Sequence, residues 1–137
     1  MRILITGANR GLGLALAQIG AERGHHIVAG VRDAEQGKEK FSELEFSKSI
    51  SIVPLDVTKE DSVLHAANFV KDQFGTVDAI INNAGILLER DKKIEELDLE
   101  QVQLSFDVNL FGPMRVVKHF LPYIIIGGQF VHYQYLI

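Results

Sequence analysis

Three glycines, at positions 7, 11 and 13, follow directly on the apolar run Ile3 to Ile5, and a helical pattern starts at once behind them. A strand that feeds through a glycine-rich bend into a helix turns backbone N–H groups, and the positive end of the helix dipole, toward any anion above the sheet edge. The stretch Thr6-Gly7-Ala8-Asn9-Arg10-Gly11-Leu12-Gly13 therefore reads as a phosphate-binding turn. Its pattern is Gly-x-x-x-Gly-x-Gly, neither Gly-x-Gly-x-x-Gly nor Gly-x-x-Gly-x-x-Gly, since Arg10 stands where the latter needs glycine. A kinase-like phosphate loop is excluded, because Gly37-Lys38 is preceded five residues earlier by Arg32 instead of glycine. Taken alone, the turn leaves two readings level: glycines that merely permit tight strand-to-helix packing, or a cradle for a pyrophosphate.

Other residues with chemical potential sit at similar junctions. Arg32 and Asp33 end a second apolar run, Asp56-Val57 ends a third, and Asn82-Asn83-Ala84-Gly85 ends a fourth. The five histidines do not share a ligand spacing, with His25 and His26 at a turn, His65 and His119 on separate helices and His132 near the end, so no metal site is expected. Cysteine is absent, which excludes a disulfide scaffold and a thiolate metal site.

The elements that must position these residues alternate strictly. Ile3 to Thr6 is predicted as the first strand and about Gly11 to Arg23 as a helix stopped by Gly24. His26 to Val31 is the second strand, Glu35 to about Phe46 a charged helix, and Ile50 to Leu55 the third strand. Thr58 and Asp61 suggest a capping box for a third helix that reaches Phe74 and ends at Gly75. Val77 to Ile81 reads as a continuous apolar fourth strand, the kind covered on both faces, and Leu99 to Leu121 as the longest helix, closed by Pro122. Right-handed crossovers turn this alternation into an α/β doubly wound parallel sheet, a Rossmann fold of order 3-2-1-4, with ligands at the switch point between strands one and four. One domain over residues 1–137 is expected, since 47% hydrophobic residues can bury one core of this length.

Three motifs in register, Thr6 to Gly13, Asn82-Asn83-Ala84-Gly85 and Asp107-Val108-Asn109-Leu110-Phe111-Gly112, resemble the classical short-chain dehydrogenase/reductase family, and the match covers Met1 to Pro122. The resemblance implies a nicotinamide cofactor and hydride exchange between carbonyl and alcohol. On that basis Thr6, Gly7, Asn9, Arg10, Gly11, Leu12 and Gly13 would form the pyrophosphate turn, and Asp56 with Val57 the adenine contact. Asn83, Ala84 and Gly85 would form the floor beside the nicotinamide ribose. The family's asparagine distorts its helix and holds a water of the proton relay, which assigns that catalytic role to Asn109. Each residue also has a plain structural reading. Asp56 would cap a turn, and Asn83 would satisfy backbone groups between neighbouring strands.

Cofactor preference rests on the end of strand two. A carboxylate there accepts from a ribose 2′-OH, whereas arginine accommodates the 2′-phosphate of NADP. Val31 stands where the family's NAD-selecting acid usually does, Arg32 follows, and Arg10 could reach the same phosphate. Asp33 argues for NAD, although with Gln36 it also makes a capping box for the next helix. The count of cations favours NADP, with NAD as the alternative.

The far end departs from the family pattern. The last Ser is Ser105 and the last Lys is Lys118, and Tyr123, Tyr133 and Tyr135 lack a lysine four residues on. The family's serine and Tyr-x-x-x-Lys are thus missing, so the chain is expected to be a C-terminally truncated, nearly inactive cofactor-binding part, with a doubtful fifth strand near Gln129 to Ile137. His132 to Ile137 can be encoded so that dropping the first base gives Ile-Ile-Asn-Ile-Ser-Ser, a suitable fifth strand, which points to a frameshift after about Gly128 testable on the coding DNA. The alternative function is a non-catalytic dinucleotide-binding protein. A net charge of -4 gives no reason to expect nucleic acid, no run approaches the roughly 18 apolar residues of a membrane span, and a cytoplasmic location is expected. The parent would act on a small-molecule carbonyl or alcohol. The long helix carries Val102, Phe106, Leu110, Val117 and Leu121, whose apolar faces later strands and helices or a partner subunit would cover in a parent that is expected to be a homo-oligomer.

Overall fold

The computed structural model describes residues 1–132. Five parallel strands form one sheet of order β3-β2-β1-β4-β5, where β1 is Arg2–Thr6, β2 His26–Val31, β3 Ile50–Pro54, β4 Val77–Asn82 and β5 Ile124–His132. The connections are α1 (Gly11–Glu22), α2 (Ala34–Ser42), α3 (Glu60–Phe74), α4 (Leu99–Phe106) and α5 (Gly112–Phe120). The chain winds outward from β1 to β3, then returns across β1 to β4, so the strand order reverses beside β1. Loops leave β1 and β4 toward opposite faces at such a point, which opens a crevice at the carboxyl ends.

Successive strand residues point to opposite faces and sort the core into two layers. Leu4, Val28, Val53 and Ile80 pack with Val63, Ala66, Ala67 and Val70 of α3 and with Val116 and Phe120 of α5. Ile5, Ile27, Ala29 and Val31 pack with Ala17 and Ala21 of α1 and Phe41 of α2. Both faces being covered, β1 and β2 carry apolar residues at successive positions, Ile3 to Ile5 and Ile27 to Ala29, instead of at alternate ones. The fourth strand is less uniform than expected: Asp78 interrupts its apolar run, and its carboxylate accepts the Arg2 backbone N–H at the start of β1.

Several boundaries differ from the sequence expectations. α2 ends at Ser42 and not near Phe46, because Phe41 is its last buried anchor and a 3₁₀ turn at Ser47–Ser49 leads into β3. The capping box at Thr58 does not form. Lys59 is the N-cap residue without a side-chain bond, while the Thr58 hydroxyl donates to Asp56 Oδ1 at 2.7 Å in a local turn that wins over the helix end. At α2, Asp33 does cap, its Oδ1 accepting from the N–H groups of Glu35 and Gln36.

The long helix is not one α-helix. Asp107–Phe111 winds as a π-helix between α4 and α5, and Pro122 sits inside a 3₁₀ turn, Leu121–Tyr123, that follows α5. The doubtful fifth strand is a correction in the other direction. β5 starts at Ile124, earlier than expected, and pairs Gln129 to His132 with Ala79 to Asn82. Ile124 pairs with Val77, so the strand bulges between the two registers, where Gly127 adopts φ 81°. His132 suits this position because β5 is an edge strand, largely exposed. Tyr133, Tyr135 and the rest of the expected strand to Ile137 lie outside the described residues. Among the described residues no helix is long and apolar enough to cross a membrane.

Candidate functional site

A cleft of about 270 Å³ opens where the strand order reverses, and residues that follow four different strands line it. Gly7, Asn9, Arg10, Gly11 and Leu12 come from the turn after β1, Arg32 from the end of β2, Leu55 to Thr58 from β3, and Asn83 to Ile86 from β4. Val108 of the π-segment closes one side. Thr6, Gly13 and Asn109, also singled out from sequence, do not line it. They stand behind the wall and hold it.

Thr6 is buried at the carboxyl end of β1, and its Oγ1 accepts from the N–H groups of Asn83 at 3.1 Å and Ala84 at 2.9 Å. Asn83 answers with its side chain, Nδ2 donating to the carbonyls of Thr6 at 2.9 Å and Gly7 at 3.2 Å. These bonds satisfy backbone groups that neighbouring strands abandon as they diverge. They also lock the two loops into one frame. Glycine is required inside it: a Cβ on Gly13 would stand 2.4 Å from the Gly7 carbonyl oxygen and 2.5 Å from Asn83 Nδ2. At Gly11, φ is 54° and a Cβ would meet nothing within 4 Å, so the backbone there faces open cleft.

Two cations and one carboxylate line the cleft. Arg10, in extended conformation at the N-cap of α1, and Arg32 are both exposed on the wall, and neither joins an ion pair within 4 Å among the described residues. The Lys40 ammonium donates to the Asn9 carbonyl at 3.0 Å and ties α2 to the same turn. Asp33, the competing carboxylate, is engaged by the amino end of α2 and does not line the cleft. Asp56 does line it; its Oδ1 accepts from the Thr58 N–H and hydroxyl, while Oδ2 is 3.9 Å from Lys59 Nζ.

Opposite, Asn109 lies in the π-segment and grips the loop after β4 twice. Its Oδ1 accepts from the Ile86 N–H at 3.0 Å and its Nδ2 donates to the Ile86 carbonyl at 2.7 Å. A π-bulge offers such a side chain a direction that a regular turn would not, and these bulges recur at functional sites. Further along this loop Glu89 is a largely buried charge. Its side chain is 10% exposed, and the Asp98 N–H, then Lys92, hold its carboxyl below the usual range. Leu55, Thr58, Ile86 and Val108 are wall residues that the sequence did not assign to the site. The available signal was position, since the first three directly flank Asp56-Val57 and Asn83 to Gly85.

A family model described as short chain dehydrogenase matches residues 1–132. The chain is 37% identical over 123 residues to a short-chain dehydrogenase of Penicillium roqueforti, covering 88% of this chain and 48% of that protein. It is 36% identical over 120 residues to an NADPH-dependent pterin aldehyde reductase of Arabidopsis thaliana, covering 88% and 49%. An alcohol dehydrogenase from the archaeon Thermococcus sibiricus, solved in complex with 5-hydroxy-NADP, superposes with a TM-score of 0.81 at 35% identity, covering 89% of this chain and 52% of that one. The chain thus spans about half the length of these curated relatives.

Proposed function

The chain belongs to the short-chain dehydrogenase family, and from that premise we propose that it is the dinucleotide-binding part of an NADP-dependent oxidoreductase acting on a small carbonyl or alcohol. One observation carries the reading: the glycine turn, locked to the β4 loop through Thr6 and Asn83, presents open backbone beside two arginines that pair with no carboxylate among the described residues. An anion fits such a cradle, because the N–H groups at the start of α1 and the helix dipole add to the arginine charge.

In this reading the turn from Thr6 to Gly13 holds the pyrophosphate, with Gly11 permitting close approach of the backbone. Arg10 and Arg32 clamp the 2′-phosphate from two elements. Asp56 and Val57 meet the adenine, and Asn83, Ala84 and Gly85 support the nicotinamide ribose. A nicotinamide held there would supply the hydride for reduction of a carbonyl. Asn109, fixed through Ile86, positions a water for the proton that must follow. Two relatives support the cofactor: one is named NADPH-dependent, and one was solved with an NADP derivative.

The 137 residues contain no Tyr-x-x-x-Lys, and a positioned general acid contributes on the order of 10²–10⁴ in rate. We therefore propose that these residues alone bind the dinucleotide with very little turnover. Calorimetric titration with NADPH and NADH, alongside a hydride-transfer assay on the same sample, tests this. NADPH is expected to bind about tenfold tighter, and Arg10→Gln with Arg32→Gln to erase the difference. Equal or reversed affinities in the unmodified chain would shift recognition to Asp33 and the 2′-OH of NAD.

A further inference from the structure

Arg115, near the start of α5, makes contacts that the dinucleotide reading leaves without a purpose. Its Nη1 donates to the Val57 carbonyl at 3.0 Å and its Nη2 to Asp107 Oδ1 at 2.7 Å, while its Nε stands 3.6 Å from Glu60 Oε2. The side chain is only 23% exposed, so these bonds are poorly replaced by water. Val57 is a wall residue of the cleft, next to Asp56. The same residue is held a second time: a Cβ on Gly112 would stand 2.9 Å from Val57 Cγ2, so Val57 occupies the space a side chain at 112 would need.

Asp107 opens the π-segment in which Asn109 grips Ile86 on the opposite wall. One stretch of helix therefore braces both sides of the cleft. Through Asn109 it holds the loop after β4, and through Gly112 and Arg115 it holds the loop after β3. A guanidinium can bridge a carbonyl and a carboxylate at a fixed angle because its donors lie in one rigid plane, which an ammonium cannot reproduce.

We infer that Arg115 is a positioning residue for the adenosine-binding wall: by tying the Val57 carbonyl to Asp107, it fixes that wall relative to the one Asn109 holds. The inference rests on the dinucleotide reading above. Arg115→Met removes the bridge at similar length, Arg115→Lys keeps a charge without the fork, and Glu60→Gln removes the carboxylate that Arg115 shares with Lys118 and His119 while leaving the Val57–Asp107 bridge in place.

The test titrates each chain by NMR with 2′,5′-ADP, which carries the adenosine half, and with nicotinamide mononucleotide. Amide hydrogen exchange at Thr58 and Ile86 is measured without ligand. Arg115→Met is expected to weaken 2′,5′-ADP about tenfold, leave the mononucleotide within about twofold, and speed exchange at Thr58 but not at Ile86. Arg115→Lys should fall between, and it carries the test if the methionine variant does not fold. Glu60→Gln should match the unmodified chain. Equal loss of both ligands, no loss of either, or a Glu60→Gln variant that behaves like Arg115→Met would overturn the inference. If the unmodified chain binds neither probe nor NADPH, the dinucleotide reading fails instead, and unequal exchange at Thr58 and Ile86 still decides whether Arg115 holds its wall.

Discussion

A methyl group at position 13 has nowhere to go, since the Gly7 carbonyl oxygen and the Asn83 amide already occupy the space within 2.5 Å of it. Gly13→Ala must therefore push the turn away from the end of β4. A cost of about 1–3 kcal/mol is expected from overpacking of this kind, with loss of NADPH affinity, and a thermal melt beside a titration checks both. A melt and an affinity equal to those of the unmodified chain would show that the turn can relax. That Gly7, Arg10, Gly11 and Arg32 gather at one cleft was legible in the sequence, because it depends on residue type and on distance from a strand end, both local properties. Thr58 was misread for the same reason. Asp61, three residues on, and the helix pattern suggested a capping box, whereas the Asp56 carboxylate, two residues back, competes for the hydroxyl and wins. Asn83 follows its structural reading, for its side chain satisfies the Thr6 and Gly7 carbonyls, and it also lines the cleft.

At the scale of elements, β1 to β4 and the helices between them followed from periodicity, since strands buried on both faces and amphipathic helices write distinct patterns. What did not follow was set by contacts between distant segments. The π-segment depends on Asn109 meeting Ile86, and the register of β5 depends on a bulge that lets Gln129 find Ala79. The amino end of the sheet carries a testable junction of this kind. His26 at the start of β2 lies 5.2 Å from the Phe74 ring at the end of α3, and its Nε2 is 3.0 Å from Ser51 Oγ of β3. Burial, and then the Arg2 guanidinium, hold the imidazole below its ordinary 6.5. The unfolded chain therefore takes up the proton first, and stability that is full above that value falls as pH drops from it toward the lower folded value. Melting temperatures between about pH 7 and pH 5 should decline in the unmodified chain and flatten in His26→Gln. Parallel pH profiles for the two would remove His26 from the junction's energetics.

Across the whole molecule, the cleft lies on one side of the sheet edge and an apolar face on another. Phe106, Leu110, Met114 and Leu121 are each about half exposed along the α4 to α5 stretch, while Val102 and Val117, expected beside them, are partly buried. An apolar patch beyond a few hundred Å² favours association. The chain is expected to bind a hydrophobic dye and to elute above monomer size, and Phe106→Glu with Leu110→Glu should reduce both. A monodisperse, dye-silent monomer would show that this face needs no cover. The central claim concerns the cleft, and the most direct measurement is an NMR titration of the chain with NADPH that follows backbone amides residue by residue. Saturable shifts confined to Gly7 to Gly13, Arg32, Asp56 to Thr58 and Asn83 to Ile86 are the predicted result. No saturable shifts, or shifts gathered on α4, α5 or β5 instead, would contradict it.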